Sequence, residues 1–315
     1  MTYEEGIIGI PKQFEYKPEL IGQDKIRAFK KIIVLGMGGS RLAADILNML
    51  KPELDIHIHS DYDLPVLGVG TLQSALIIAN SYSGNTTEVI SGTKIAIEQR
   101  LNLAIISSGG ELLKIASQND IPHIALPPTE FQPRMMMGHD LMAIAKLTGF
   151  DTGEVEKCSS LDTAALKSPG HELAGKINSS VPLIYTSERL NGLGYIWKII
   201  FDETAKIPAF HNRFPEADHN EIAGFAKDWT GKFHGLFLRD GSDPRIDERM
   251  DLTAELFKTH GIPVETIPLT GASLAEKITS SIILSHWTAL ALAETNNVNP
   301  AAVDVIENFK KQLRD

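Results

Sequence analysis

The sequence predicts an α/β protein of two doubly wound domains, each a mainly parallel sheet flanked by helices. Three observations lead there. Short, almost wholly apolar runs such as Lys31-Ile-Ile-Val-Leu35 and Ala75-Leu-Ile-Ile-Ala79 alternate with helix-period segments, the pattern of parallel strands covered on both faces. The chain has 315 residues, about twice the usual domain size. Finally, the order of elements in the second half copies that of the first, although the residues themselves hardly repeat.

Taken in order, residues 31–35 read as a strand, Gly36-Met37-Gly38-Gly39-Ser40 as a glycine loop and the stretch through Leu50 as a helix. Residues 75–79 form the next strand, 80–86 its polar loop and 87–99 its helix. Residues 103–106 run into Ser107-Ser-Gly-Gly110 and a helix near 111–118, and Pro122 introduces a strand over 123–126. A mixed-charge helical stretch after Asp151 marks a boundary near residue 152, so the expected domains are 1–152 and 153–315. In the second, strands over 181–185, 235–238 and 264–268 precede helices over 192–206, 243–260 and from 273 onward. Residues 280–293 and 303–313 read as closing helices, with Pro300 ahead of the last.

Composition narrows the function. Apolar residues make up 43% and charged residues 22%, which excludes wholesale disorder. Forty acids against thirty bases give a formal net charge of -10, and without a Lys/Arg-rich block the chain lacks the field that draws nucleic acid or anionic membrane. Neither is an expected partner. The one cysteine, Cys158, cannot form an internal disulfide, and the first residues carry acids where a signal peptide carries base, so a cytoplasmic location is expected. The longest apolar-leaning stretch, 282–293, is too short for a bilayer core of roughly 30 Å.

The glycine loop invites a dinucleotide reading, yet the third glycine is missing and Arg41 stands where close helix packing wants a small residue. A tight turn without ligand explains it equally well. Ser81-Tyr-Ser83-Gly-Asn-Thr86 is more informative, because hydroxyls and free N–H groups would gather where a helix begins. Such a cup suits a phosphate monoester held by neutral donors and the helix dipole. Ordinary N-capping is the alternative, but it needs one hydroxyl, whereas Ser81, Ser83, Thr86 and Thr87 are all present. His57 and His59 alternate as on a strand without an evident third ligand, so no metal is expected. Met135-Met136-Met137 reads as core filling, and His286 as a satisfied core histidine.

At these residues the chain resembles a family. Asn80-Ser-Tyr-Ser-Gly-Asn-Thr86, with Gly36-Met-Gly-Gly-Ser40 on the preceding strand, resembles the sugar isomerase (SIS) domain, which binds phosphosugars and occurs as tandem copies in sugar-phosphate isomerases. Asp202-Glu203-Thr-Ala-Lys206-Ile-Pro208, Phe214-Pro-Glu-Ala-Asp-His219-Asn-Glu-Ile222, and Asn299-Pro300 with Ile306-Glu-Asn-Phe-Lys310 resemble the bifunctional phosphoglucose/phosphomannose isomerases. The resemblance implies an aldose-ketose isomerase that interconverts glucose 6-phosphate and fructose 6-phosphate through an enediolate, without cofactor or metal, and leaves mannose 6-phosphate as a further substrate. It places the phosphate on Ser81, Ser83 and Thr86, with Gly38 and Gly39 beside the sugar and Arg134 over the reacting carbons. Glu203 becomes the proton-shuttling base, and His219 and Lys310 the ring-opening groups. A homodimer is implied, with His219 supplied by the neighbouring subunit.

These residue types suit the chemistry. A carboxylate held away from water can take a proton from one carbon and return it to the next, its pKa raised toward neutrality by burial. Arginine keeps its charge for the developing enediolate, and histidine can protonate a ring oxygen near neutrality. Two positions depart from the family pattern. Arg41 replaces a small residue, which would reshape the glycine loop or bring positive charge near the sugar. Val303 stands where mannose-competent members are expected to show a small hydroxyl residue. Competing expectations are an isomerase of another phosphosugar and a non-catalytic phosphosugar-binding protein; a DNA-binding sensor would need a basic module that the chain lacks.

Overall fold

The computed structural model describes residues 2–312. They divide into two compact units, one of residues 9–161 with 273–275, the other of residues 2–8 with 162–272 and 276–312. The helices in chain order are α1 (Tyr3–Gly9), α2 (Leu42–Leu50), α3 (Val69–Ser74), α4 (Thr87–Glu98), α5 (Gly110–Gln118), α6 (Met137–Thr148), α7 (Gly153–Glu156), α8 (Lys167–Ile177), α9 (Asn191–Ile200), α10 (Pro244–Thr259), α11 (Leu274–Thr295) and α12 (Asp304–Gln312).

The first unit is built on β1 (Lys31–Leu35), β2 (Ile56–His59), β3 (Ala75–Asn80), β4 (Asn102–Ser107) and β5 (His123–Ala125), all parallel in the order β2-β1-β3-β4-β5. Every residue of β3 and β4 is buried, which is why 75–79 and 103–106 read as unbroken apolar runs. On one face Ile33, Ile77 and Ile105 pack with Val89 of α4 and Leu112 and Ile115 of α5. Burying each such side chain stabilises the fold by about 1.5–3 kcal/mol. Strand order reverses between β1 and β3, so the crevice beyond their C-terminal ends is where a ligand of such a sheet binds. The His57 and His59 rings stack on β2 with centroids 6.5 Å apart, and the described residues hold no group of three metal-ligating side chains.

The second unit carries β6 (Val181–Ser187), β7 (Phe210–Phe214), β8 (Phe233–Arg239) and β9 (Val264–Pro268), parallel in the order β7-β6-β8-β9. Sequence patterning does not show β7, because Phe-His-Asn-Arg-Phe lies at the sheet edge and needs no apolar run. Tyr185, Phe214, Phe237 and Phe257 interlock edge-to-face or tilted beneath this sheet. The two segments expected after residue 273 form one 22-residue helix, α11. Its buried Ser285 and Thr288 hydroxyls bond back to the Ile282 and Leu284 carbonyls, so polar residues do not interrupt it. The helix expected over 192–206 changes character at Phe201–Ala205, which forms a turn of π-helix. Among the described residues no helix is long and apolar enough to cross a membrane.

Candidate active site

The glycine loop leaves β1 and tightens into a 3-10 turn over Gly38–Arg41. Gly38 sits at φ 51, in the left-handed region that side chains avoid. Gly39 is required for space: a Cβ there would lie 2.6 Å from the Arg134 backbone nitrogen and 2.8 Å from the Pro133 side chain. Ser40 then ties this loop to the next one. Its carbonyl accepts from Asn80 Nδ2 at 2.7 Å and its hydroxyl accepts from the Tyr82 backbone N–H at 3.1 Å.

The serine loop follows β3 at the adjacent strand end. Thr86 is the N-cap of twelve-residue α4, yet its side chain makes no cap bond. Instead the Thr86 and Ser81 hydroxyls meet at 2.7 Å, Ser81 being 1% exposed. Two of the hydroxyls expected either to cap or to bind, those of Ser81 and Thr86, therefore meet beside the helix N-terminus, and that of Thr86 does not cap it. Ser83 is exposed and its hydroxyl accepts from the Asn85 N–H at 3.3 Å. Gly84, at φ 69, lets the loop press on the chain after β4, where a Cβ would meet the Gly109 carbonyl at 1.9 Å. Asn85 Oδ1 also accepts from the Glu111 N–H at 3.0 Å.

The structure thus brings Gly38, Gly39, Ser81, Ser83, Thr86 and the backbone of Arg134 to one end of one sheet. Arg134 is fully buried in the 3-10 turn Pro133–Met135. The Arg41 guanidinium takes both oxygens of Asp45 at 3.0 Å and also reaches Ser60 Oγ, which donates to the Gly36 carbonyl. Burial pushes Asp45 up, with the hydrogen-bonded Arg41 opposing. Sequence reasoning missed Asp140 of α6. It is fully buried, and burial raises its pKa to about 8, opposed by the nearby Asn80 amide. An acid among Met137, Leu141 and Met142 was the available signal.

Glu203, His219 and Lys310 belong to the other unit and stand on three different elements. Glu203 is half-buried in the π turn. Lys206 closes that turn at φ 56 and donates to the Glu203 and Ala302 carbonyls. His219 is exposed at the end of the 3-10 turn Glu216–His219, but its neighbours are fixed. Asp218 binds Arg249 and Thr253 of α10 at 3.0 Å each, and Glu221 accepts from Tyr185 and Asn212. Lys310 is exposed on α12 and pairs with Glu307 at 3.0 Å.

A hydroxyl cup at the switch point of a parallel sheet, followed in the same chain by a second parallel sheet, defines the SIS class. Residues 166–313 match the bacterial phospho-glucose isomerase C-terminal SIS domain. The fold overlays a candidate phosphosugar isomerase of Clostridium difficile 630 with a TM-score of 0.72, covering 100% of this chain and 99% of the other at 15% identity. By sequence the chain is 30% identical to a bifunctional phosphoglucose/phosphomannose isomerase of Thermoplasma acidophilum, covering 93% of this chain and 92% of that one. It is 29% identical to the protein of that description from Thermoplasma volcanium over 99% and 100% of the two chains. A D-glucosamine-6-phosphate 4-epimerase of Sulfolobus acidocaldarius is 26% identical over 96% and 95%. The chain belongs to the bifunctional phosphoglucose/phosphomannose isomerase family.

Proposed function

We propose that the chain is an aldose-ketose isomerase that interconverts glucose 6-phosphate and fructose 6-phosphate, with mannose 6-phosphate as a third substrate. The observation that carries this is the hydroxyl cup, in which Ser81 and Thr86 meet at 2.7 Å at the start of α4 without capping it. Neutral donors at a positive helix end suit a phosphate dianion, and Ser83 completes the cup. Gly38 and Gly39 let the sugar approach backbone, and Arg134 stabilises negative charge on the enediolate oxygens. Glu203 moves the proton between the neighbouring carbons, while His219 and Lys310 open the ring. The chain works as a homodimer, and the exposure of His219 between the anchored Asp218 and Glu221 fits a side chain lent to the neighbouring subunit's site. No electron transfer is involved, so no redox cofactor takes part.

The test is an assay of purified protein in chelator with fructose 6-phosphate, detecting the glucose and mannose products separately beside Glu203→Gln. Glucose 6-phosphate formation that the substitution abolishes is expected, and the mannose channel reports the effect of Val303. Silence in both channels from folded protein would overturn the proposal. Because an amino-sugar epimerase is also similar to this chain, glucosamine 6-phosphate is the next substrate in that event.

A further inference from the structure

Glu203 lies between two residues that are each held in place. The π turn over Phe201–Ala205 is a rare form of helix, found mostly as a single turn and frequently at functional sites. On one side Asp202 accepts from Lys198 Nζ at 2.5 Å and from the Ala209 N–H at 2.9 Å. On the other side Thr204, fully buried, meets the Tyr3 hydroxyl at 2.7 Å. The same hydroxyl meets His286 Nδ1 at 2.9 Å, and His286 is also fully buried. Helix α1, the π turn and α11 are thereby joined through one phenol in the second unit.

A base must stand within hydrogen-bond reach of the proton it takes, and a displacement of about 1 Å can cost roughly a hundredfold in rate. We propose that Tyr3, itself held by His286, is a positioning residue for Glu203: its hydroxyl holds the Thr204 hydroxyl, fixes the π turn and thus aims the adjacent carboxylate. This rests on the reading of Glu203 as the base. Packing alone does not require the arrangement, since Phe at position 3 would fill the same volume. The hydroxyl adds direction, and its loss would leave buried polar partners without one of their bonds.

The experiment measures kcat and KM for fructose 6-phosphate in Tyr3→Phe, Thr204→Val, the double variant and Thr204→Ser, with thermal melts to show folding. Each of the first two is expected to lower kcat about tenfold with KM within about twofold, the signature of a lost transition-state interaction. Because the Tyr3–Thr204 bond is lost in both, the double variant should lose no more than Tyr3→Phe alone. Thr204→Ser keeps the hydroxyl and should restore turnover. Normal kcat in folded Tyr3→Phe, additive losses, or a change in KM alone would overturn the proposal. If Tyr3→Phe fails to fold, Thr204→Val reads the bond from its other end. Glu203→Gln runs beside them: if it turns over normally the base assignment is wrong, whereas a dead Glu203→Gln with an unaffected Tyr3→Phe removes only the positioning role.

Discussion

Gly39 and Arg134 meet backbone to backbone, so closely that a single methyl at position 39 would fall 2.6 Å from the Arg134 nitrogen. The arginine's turn is therefore seated on the glycine loop. Gly39→Ala is expected to destabilise the first unit by about 1–3 kcal/mol, as overpacking does, and to raise KM as Arg134 is displaced. Urea unfolding and steady-state kinetics check both effects. An unchanged KM would separate the glycine loop from the substrate.

Ser83 is exposed, so its removal should leave folding stability within about 0.5 kcal/mol. As a donor to a charged phosphate it should matter more, at about 1.5–3 kcal/mol. Ser83→Ala is therefore expected to raise KM for fructose 6-phosphate by roughly tenfold or more while kcat changes less. Equal losses in a non-phosphorylated sugar would place the phosphate elsewhere.

Asp140 makes stability depend on pH. Its pKa is raised from 3.8 to about 8 in the folded chain, so the fold binds a proton that the unfolded chain releases. The stability from that proton is fully present below about pH 4 and is lost as pH rises toward 8, an effect on the order of a few kcal/mol. Asp140→Asn removes the titration and keeps the shape. Its stability relative to the native chain should climb across that window and then level off, as chemical melts at successive pH values would show. Parallel curves would mean that the carboxyl stays ionised.

If His219 is lent between subunits, Glu203→Gln and His219→Asn should each be inactive alone. Unfolded together and refolded as a mixture, they would form dimers with one intact site, and activity would return. A mixture as inactive as its parts would place both groups in the same subunit's site.

Much of the fold was legible because burial writes itself into composition. Strands β3 and β4 are covered on both faces, and their apolar runs say so. Edge strand β7 is half wet, and its His-Asn-Arg centre carries no such signature. The π turn was hidden for a different reason. One extra residue in a helical turn leaves the apolar period of α9 intact, and what holds the turn arrives from Tyr3 and α11. The serine loop could be read locally, since its hydroxyls follow one another along the chain. The Gly39–Arg134 seat and the buried Asp140 could not, because both depend on α6 and its preceding turn packing over the strand ends.

Lys206 grips two carbonyls at once, that of Glu203 and that of Ala302. The segment leading into α12 is thereby a strut under the π turn, and Asn296 adds a second brace through the Ala205 carbonyl at 3.4 Å. Cutting the chain near residue 300 would thus do more than remove Lys310. It would loosen the footing of a carboxylate nearly one hundred residues earlier in the sequence, so a truncated chain and a Lys310 substitution should differ in how badly they fail.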